Sequence, residues 1–121
     1  RMHPMLLEPI SRAFPRLTLI CAHLGIHWNE DAAELLRMRP NVYADITGEP
    51  SGYRLRLSPE RMRELLWWPD ALGRLVFGTD VAPEKISGNL RHDRQLLESL
   101  GVPPEGQRSY FGGNARTILG L

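Results

Sequence analysis

The chain has 121 residues, of which 42% are hydrophobic and 24% are charged, and its formal net charge is +1 at pH 7. These values are typical of one ordinary globular domain and give no sign of disorder. The charges are interspersed and form no basic block, so we expect neither nucleic acid nor a membrane surface among the partners. The single cysteine, Cys21, excludes an internal disulfide framework and indicates a reducing compartment.

No apolar stretch approaches the roughly 18 residues that a membrane span needs, and no leader opens the sequence, so we expect a cytoplasmic protein. The first residue is Arg1 rather than Met, which indicates a fragment.

Apolar periodicity and the positions of proline and glycine predict helices that alternate with short strands. In chain order these are helix 4–14, strand 17–22, helix 29–38, strand 42–44, helix 58–68, strand 75–77, helix 90–100, helical segment 103–111 and short helix 114–119. The last helix is predicted to be capped by Asn114 and stopped by Gly120. The intervening loops of interest are 49–57 and 81–89. This order predicts βαβ units and an α/β fold with parallel strands.

Each predicted strand runs into an ionisable side chain, namely His23, Asp45 and Asp80. In parallel α/β proteins the active site lies at the carboxyl ends of the strands. The three positions recur at roughly the interval of a (β/α)8 barrel unit, about 31 residues, although open doubly wound sheets have similar periods. No glycine-rich phosphate loop follows a strand, which argues against nucleotide binding.

His23 and Asp80 are the candidate catalytic and metal-binding residues. An imidazole is a metal ligand or proton shuttle, and a carboxylate is a hard ligand and a base. The alternative is a structural histidine and, for Asp45 and Asp80, a cap of the following segment; for Asp45 we favour the cap. If His23 points to the inner face of the sheet, away from the helices, strand alternation turns Cys21 and Leu19 to the same inner face. Ile20 and Ala22 are then predicted to face the helices.

The other polar candidates are weaker. His27 follows His23 by four residues, but in a loop, so the spacing is weak evidence for a shared metal. His3 and His92 are predicted at the surface. Arg54 lies in a loop expected at the rim of the site, where it can meet a carboxylate substrate, although a solvated charge is the favoured interpretation.

Taken together, several segments resemble the amidohydrolase-related (amidohydrolase 2) family of metal-dependent hydrolases, in the branch that includes aminocarboxymuconate semialdehyde decarboxylase and related benzoate decarboxylases. The resemblance extends over nearly the whole chain. It rests on Phe14-Pro15-Arg16-Leu17, Cys21-Ala22-His23-Leu24-Gly25, Arg39-Pro40-Asn41-Val42-Tyr43-Ala44-Asp45-Ile46-Thr47-Gly48, Leu75-Val76-Phe77-Gly78-Thr79-Asp80, Gly113-Asn114-Ala115-Arg116 and Leu119-Gly120-Leu121.

The resemblance implies a TIM-type (β/α)8 barrel, of which residues 1–121 would form one C-terminal domain segment with the last three βα units. By position, His23 resembles the histidine that ends the sixth strand and activates the metal-bound water or ligates the metal. Asp80 resembles the aspartate that ends the eighth strand, a metal ligand and candidate base. Asp45 matches a seventh-strand position to which no catalytic role is assigned.

The family also binds its divalent metal, expected to be zinc, through an HxH pair at the first strand and a histidine at the fifth, and neither is present. Two ligands do not make a three-ligand catalytic site. The resemblance implies a hydrolase, or a lyase that performs nonoxidative decarboxylation, with a small carboxylated or cyclic substrate. The alternative is a noncatalytic α/β module that completes its sheet with a partner subunit. We expect self-association, or pairing with a missing N-terminal barrel segment.

Overall fold

The computed structural model of the chain describes residues 3–121. Its helices and strands alternate as the sequence predicts. They are α1 (Leu7–Ala13), β1 (Leu19–Cys21), α2 (Asn29–Met38), β2 (Val42–Asp45), α3 (Pro59–Leu65), β3 (Leu75–Val76), α4 (Ile86–Ser99), α5 (Pro104–Arg108) and α6 (Asn114–Leu119).

The three strands form one parallel sheet in the order β1-β2-β3. Cys21 pairs with Ala44, and Ala44 pairs with Leu75 on its other side. Asp45 pairs with Val76. The predicted α/β class with parallel strands is therefore confirmed, and all three carboxyl ends lie at one edge of the sheet.

One face of the sheet packs against the helices and forms the hydrophobic core. Val42, Ala44 and Leu75 contribute from the strands and are fully buried. The helices supply mainly leucines, each of which stabilises the fold by about 1.5–3 kcal/mol when fully buried. These core side chains on α2, α3 and α4 are Leu35, Leu36, Met62, Leu65, Leu96 and Leu97.

The predicted direction of the β1 side chains is wrong. Cys21 is buried in the helix-facing core, whereas Ile20, predicted to face the helices, is 50% exposed. The prediction extended strand alternation from Cys21 to His23, but the chain leaves the extended conformation between them. His23 and Leu24 have left-handed backbone angles, with φ of 55° and 46°.

Several element boundaries also differ from the predictions. Strands β1 and β3 are shorter than predicted and β2 is one residue longer, and a 3-10 turn, Tyr53–Arg56, lies inside the predicted loop 49–57. Helix α3 ends at Leu65 rather than near residue 68, and Leu66 already leaves the helical conformation. Helix α4 begins at Ile86, since the preceding 3-10 turn Pro83–Lys85 leads directly into it.

The C-terminal helices form one continuous helical segment. A π-helical turn, Ser109–Gly113, joins α5 to α6, so Asn114 has helical backbone and does not cap α6 as predicted. Its side-chain amide instead donates to the carbonyl oxygens of Leu72 and Leu75. The predicted stop at Gly120 is confirmed by a left-handed φ of 69°.

The same C-terminal segment bonds to the backbone of the β3 region. The Phe77 amide donates to the carbonyl oxygen of Tyr110 at 3.2 Å, and Leu75 O accepts from Asn114. Part of the β3 edge thus finds hydrogen-bond partners within the chain. Three strands taken from a barrel are expected to leave both edges of the sheet unpaired. Within the described part of the chain, no helix is both long and apolar enough to cross a membrane.

Candidate functional site

A tight turn after β1 sets the position of His23. The turn, Ala22–Gly25, contains the two left-handed residues His23 and Leu24 and is anchored by the fully buried Leu24 side chain. Gly25 has a φ of 68°, and a Cβ there would lie 2.8 Å from the Cβ of Ala32 on α2. Only glycine therefore allows the turn to pack this closely on the helix.

The loops after β2 and β3 are tied together beside this turn. The Gly48 amide donates to the carbonyl oxygen of Thr79 at 2.9 Å. The side-chain amide of Asn89, buried on α4, donates to the carbonyl oxygens of Gly48 and Thr79 at 3.1 Å each. Asp80 follows directly with a left-handed φ of 50° and an exposed side chain.

Asp45 is the hydrogen-bonding centre of the site. Its Oδ1 atom accepts from the His23 amide at 2.8 Å, the Thr47 amide at 3.0 Å and the Thr47 hydroxyl at 2.6 Å. The favoured interpretation of Asp45, a cap of the segment that follows it, agrees with these contacts. The carboxylate also joins the end of β2 to the turn after β1.

His23 lies between Thr47 and Asp80. Its Nδ1 atom is 2.6 Å from Thr47 Oγ1, and its Nε2 atom is 3.8 Å from Asp80 Oδ2. Its side chain is 33% exposed and that of Asp80 is 67% exposed, so solvent reaches both. The structure therefore brings the two predicted site residues together at the carboxyl ends of β1 and β3.

This pair suits two ligands of one divalent ion. Two ligands about 2.1 Å from a zinc ion lie at most about 4.2 Å apart, and the observed separation is within that limit. No group of three or more candidate ligands occurs among residues 3–121. His27 is exposed and takes no part in such a group. An imidazole nitrogen and a carboxylate oxygen are suitable ligands for a divalent metal, but this pair supplies two ligands rather than three.

The structure overturns the prediction of a solvated Arg54. Its side chain is 1% exposed and forms a buried ion pair with Asp93 of α4. A second guanidinium nitrogen donates to the Gly78 carbonyl oxygen at 2.8 Å, and the Tyr110 hydroxyl donates to Asp93 at 2.6 Å. Burial and the Asp93 carboxylate raise the pKa of Tyr110 well above its ordinary range. Arg54 therefore supports the backbone before Asp80 and does not reach a substrate.

The two histidines predicted at the surface each contact an aspartate. His3 Nε2 lies 3.1 Å from Asp31, and its ring packs on Trp28 with centroids 4.9 Å apart. His92 Nδ1 lies 3.1 Å from the buried Asp93. Both side chains are only partly exposed.

Sequence reasoning missed Thr47 and Asp93. Thr47 stands two residues after Asp45, where an aspartate side chain commonly accepts from the backbone amide in an Asx turn, and this signal was available. Nothing in the local sequence links Asp93 to Arg54, because they are distant in the chain.

A histidine and an aspartate at the carboxyl ends of parallel strands occupy the position where active sites of α/β proteins are built. The family model described as Amidohydrolase matches residues 1–121. The chain belongs to the amidohydrolase family. Neither the curated proteins nor the solved structures that were compared with the chain gave a match.

Proposed function

We propose that this chain contributes three βα units to a (β/α)8 barrel, the last three by order, in a metal-dependent hydrolase or nonoxidative decarboxylase. The proposed substrate is a small carboxylated or cyclic compound. The observation that carries the proposal is the 3.8 Å approach of His23 Nε2 to Asp80 Oδ2 across the carboxyl ends of β1 and β3. Active sites of such barrels are built at this end of the strands.

The sheet supports the barrel part of the proposal. Its strands are parallel and follow chain order, as consecutive barrel strands do. Ile20 is half exposed on the face opposite the helices, where the interior side chains of a closed barrel would cover it.

The proposed cofactor is a divalent metal ion, with zinc as the first candidate. His23 and Asp80 would supply two ligands, and other strands of the barrel would supply the rest. When bound, the metal lowers the pKa of its water to about 7 or polarises a bound carbonyl. Where another strand supplies a ligand in place of His23, the Nε2 atom of His23 is free to hold a proton during the reaction, and Asp80 supplies a negative charge and a second base.

The proposal is tested in a complete barrel that contains these units. Asp80→Asn removes the charge that holds the cation or accepts the proton, so it should abolish turnover and weaken metal retention. His23→Gln should lower turnover while more of the metal stays bound. Turnover is followed as CO2 release and as ring or amide hydrolysis on a panel of small carboxylic acids and cyclic compounds, and bound metal is measured by elemental analysis.

Two variants control for backbone effects. Asp70 and His27 are exposed, and both have left-handed backbone like Asp80 and His23. Asp70 precedes β3 at the opposite end of the strand. Asp70→Asn and His27→Gln should keep full turnover and metal content. If Asp80→Asn behaves like Asp70→Asn, the proposed site is wrong.

A second candidate is a noncatalytic module whose sheet is completed by a partner subunit. It is favoured by two hydrogen bonds at the β3 edge, from the Phe77 amide to the Tyr110 carbonyl oxygen and from the Asn114 side chain to the Leu75 carbonyl oxygen, which leave β1 as the more open edge. The 121-residue chain would then retain no zinc after dialysis, and its properties would not change in Asp80→Asn. Stoichiometric zinc that is lost in this variant would exclude the module.

A further inference from the structure

We infer that Thr47 is a positioning residue that holds His23 in the tautomer with the proton on Nδ1, so that the Nε2 lone pair faces Asp80. The inference rests on the proposed function only in treating His23 as part of the site. The argument for the tautomer itself depends on the hydrogen bonds around Thr47.

The first step is to place the hydroxyl proton of Thr47. The Oγ1 atom has one proton and two close neighbours, Asp45 Oδ1 at 2.6 Å and His23 Nδ1 at 2.6 Å. A carboxylate oxygen has only lone pairs to offer, so the contact with Asp45 requires the hydroxyl proton. Thr47 therefore donates to Asp45.

The second step follows at His23. Because the Thr47 proton is already used, Oγ1 can only accept from the imidazole, and Nδ1 must carry the proton. The Thr47 carbonyl oxygen lies 3.4 Å from the same nitrogen, which adds a second acceptor on that side. Both neighbours of Nδ1 on Thr47 thus favour a protonated nitrogen.

The third step concerns the rigidity of this arrangement. Asp45 Oδ1 is held by the backbone amides of His23 and Thr47, so it stays in place to receive the hydroxyl proton. The His23 backbone and its ring are then tied to the same two residues. A hydrogen bond to one ring nitrogen fixes the orientation and tautomer of a site histidine, and so determines the state of the other nitrogen.

The consequence appears on the other side of the ring. In this tautomer Nε2 has a free lone pair, and it points toward the Asp80 carboxylate at 3.8 Å. Two acceptors at this separation leave room between them for a cation, whereas a directly shared proton would need a distance of about 3 Å or less. Thr47 thereby sets the chemistry at a nitrogen that it does not touch.

The experiment is a two-bond ¹H–¹⁵N correlation spectrum of the imidazole rings in the ¹⁵N-labelled 121-residue chain. The chain has four histidines, and the His23 signals are assigned by their loss in His23→Gln. The expected wild-type pattern is a protonated Nδ1 and an unprotonated Nε2. Thr47→Val, which removes the hydroxyl, should shift the ring to the other tautomer or to a mixture, and Thr47→Ser should restore the wild-type pattern.

A wild-type ring protonated at Nε2 and not at Nδ1 overturns the inference, and this measurement needs no Thr47 variant. An unchanged tautomer in a folded Thr47→Val protein overturns it as well. In a complete barrel Thr47→Val should lower turnover about 10–100-fold, with recovery in Thr47→Ser. Full turnover in His23→Gln would contradict the proposed function, whereas the tautomer result would still stand.

Discussion

Gly78 lies so close to Thr47 that a Cβ at position 78 would come within 2.6 Å of the Thr47 Cγ2 atom. Real Cβ atoms do not approach this closely, so either the end of β3 or the Thr47 side chain would have to move. Because Thr47 also contacts the ring of His23, the glycine at the end of one strand controls the geometry of a residue that follows another.

Gly78→Ala should therefore destabilise the fold by about 1–3 kcal/mol, as overpacking of this kind usually does. It should also disturb the His23 ring signals. The matched control is Gly73→Ala, where no atom lies within 4 Å of the added Cβ. Urea unfolding measures the first effect. Equal midpoints for the two variants would show that the Thr47 side chain moves aside with no loss of stability.

Loss of the Asp93 charge should destabilise the protein strongly. Asp93→Asn leaves the buried Arg54 guanidinium without its counter-charge, at a cost of about 3–5 kcal/mol. The control is Glu34→Gln, which breaks an exposed pair with Arg37 on α2 and should change stability little, because water and salt screen exposed pairs. Chemical denaturation of both variants compares the two pairs, and similar losses would mean that Arg54 is hydrated in solution.

Cys21 should behave as an unreactive core thiol. Burial, aided by the Asp45 carboxylate, raises the thiol pKa above its ordinary value of 9.0. Its reaction with a thiol reagent at pH 8.5 should be about tenfold or more slower in the folded than in the denatured chain. Equal rates would contradict the burial seen here.

The same pKa shift predicts a pH dependence of stability. The folded chain holds the Cys21 proton more tightly than the unfolded chain, so this contribution is fully present below about pH 9. It is lost as the pH rises through the raised pKa of the folded state. The free energy of unfolding should therefore fall more steeply above pH 9 in the wild type than in Cys21→Ala, as measured by denaturation at several pH values.

The 121-residue chain should self-associate through the face that carries Ile20 and the open side of β1. Its mass by light scattering should rise with concentration. Ile20→Lys should reduce this rise, whereas Leu119→Lys, at a more exposed leucine on α6, should not. A monodisperse monomer at every concentration would contradict both the barrel units and a module that needs a partner.

The sequence was sufficient to predict the alternation of elements and the end of each strand. Those features follow from short apolar runs and from prolines and glycines, which act locally. The approach of His23 to Asp80 was also predictable, since parallel strands place their carboxyl ends together. The direction of Cys21 was not, because two non-glycine residues adopt left-handed backbone immediately after it and reset the alternation.

Arg54 shows the limit of local reasoning. An arginine in a loop near a strand end is usually solvated, and its burial depends on a carboxylate from α4 and a carbonyl from the end of β3. No pattern near residue 54 encodes those partners. Thr47 was closer to prediction, since its contact with Asp45 is local, whereas its contact with His23 requires the parallel pairing of β1 and β2.

The left-handed residues after the strands imply a conflict between thermal stability and the function of the site. His23 and Asp80 hold a backbone geometry that costs L-residues about 1–2 kcal/mol each and that glycine adopts freely. Selection for heat resistance alone would favour glycine at these positions. Retaining a histidine and an aspartate there sacrifices stability, and variants isolated for higher melting temperature should accumulate at this end of the sheet at the expense of the site.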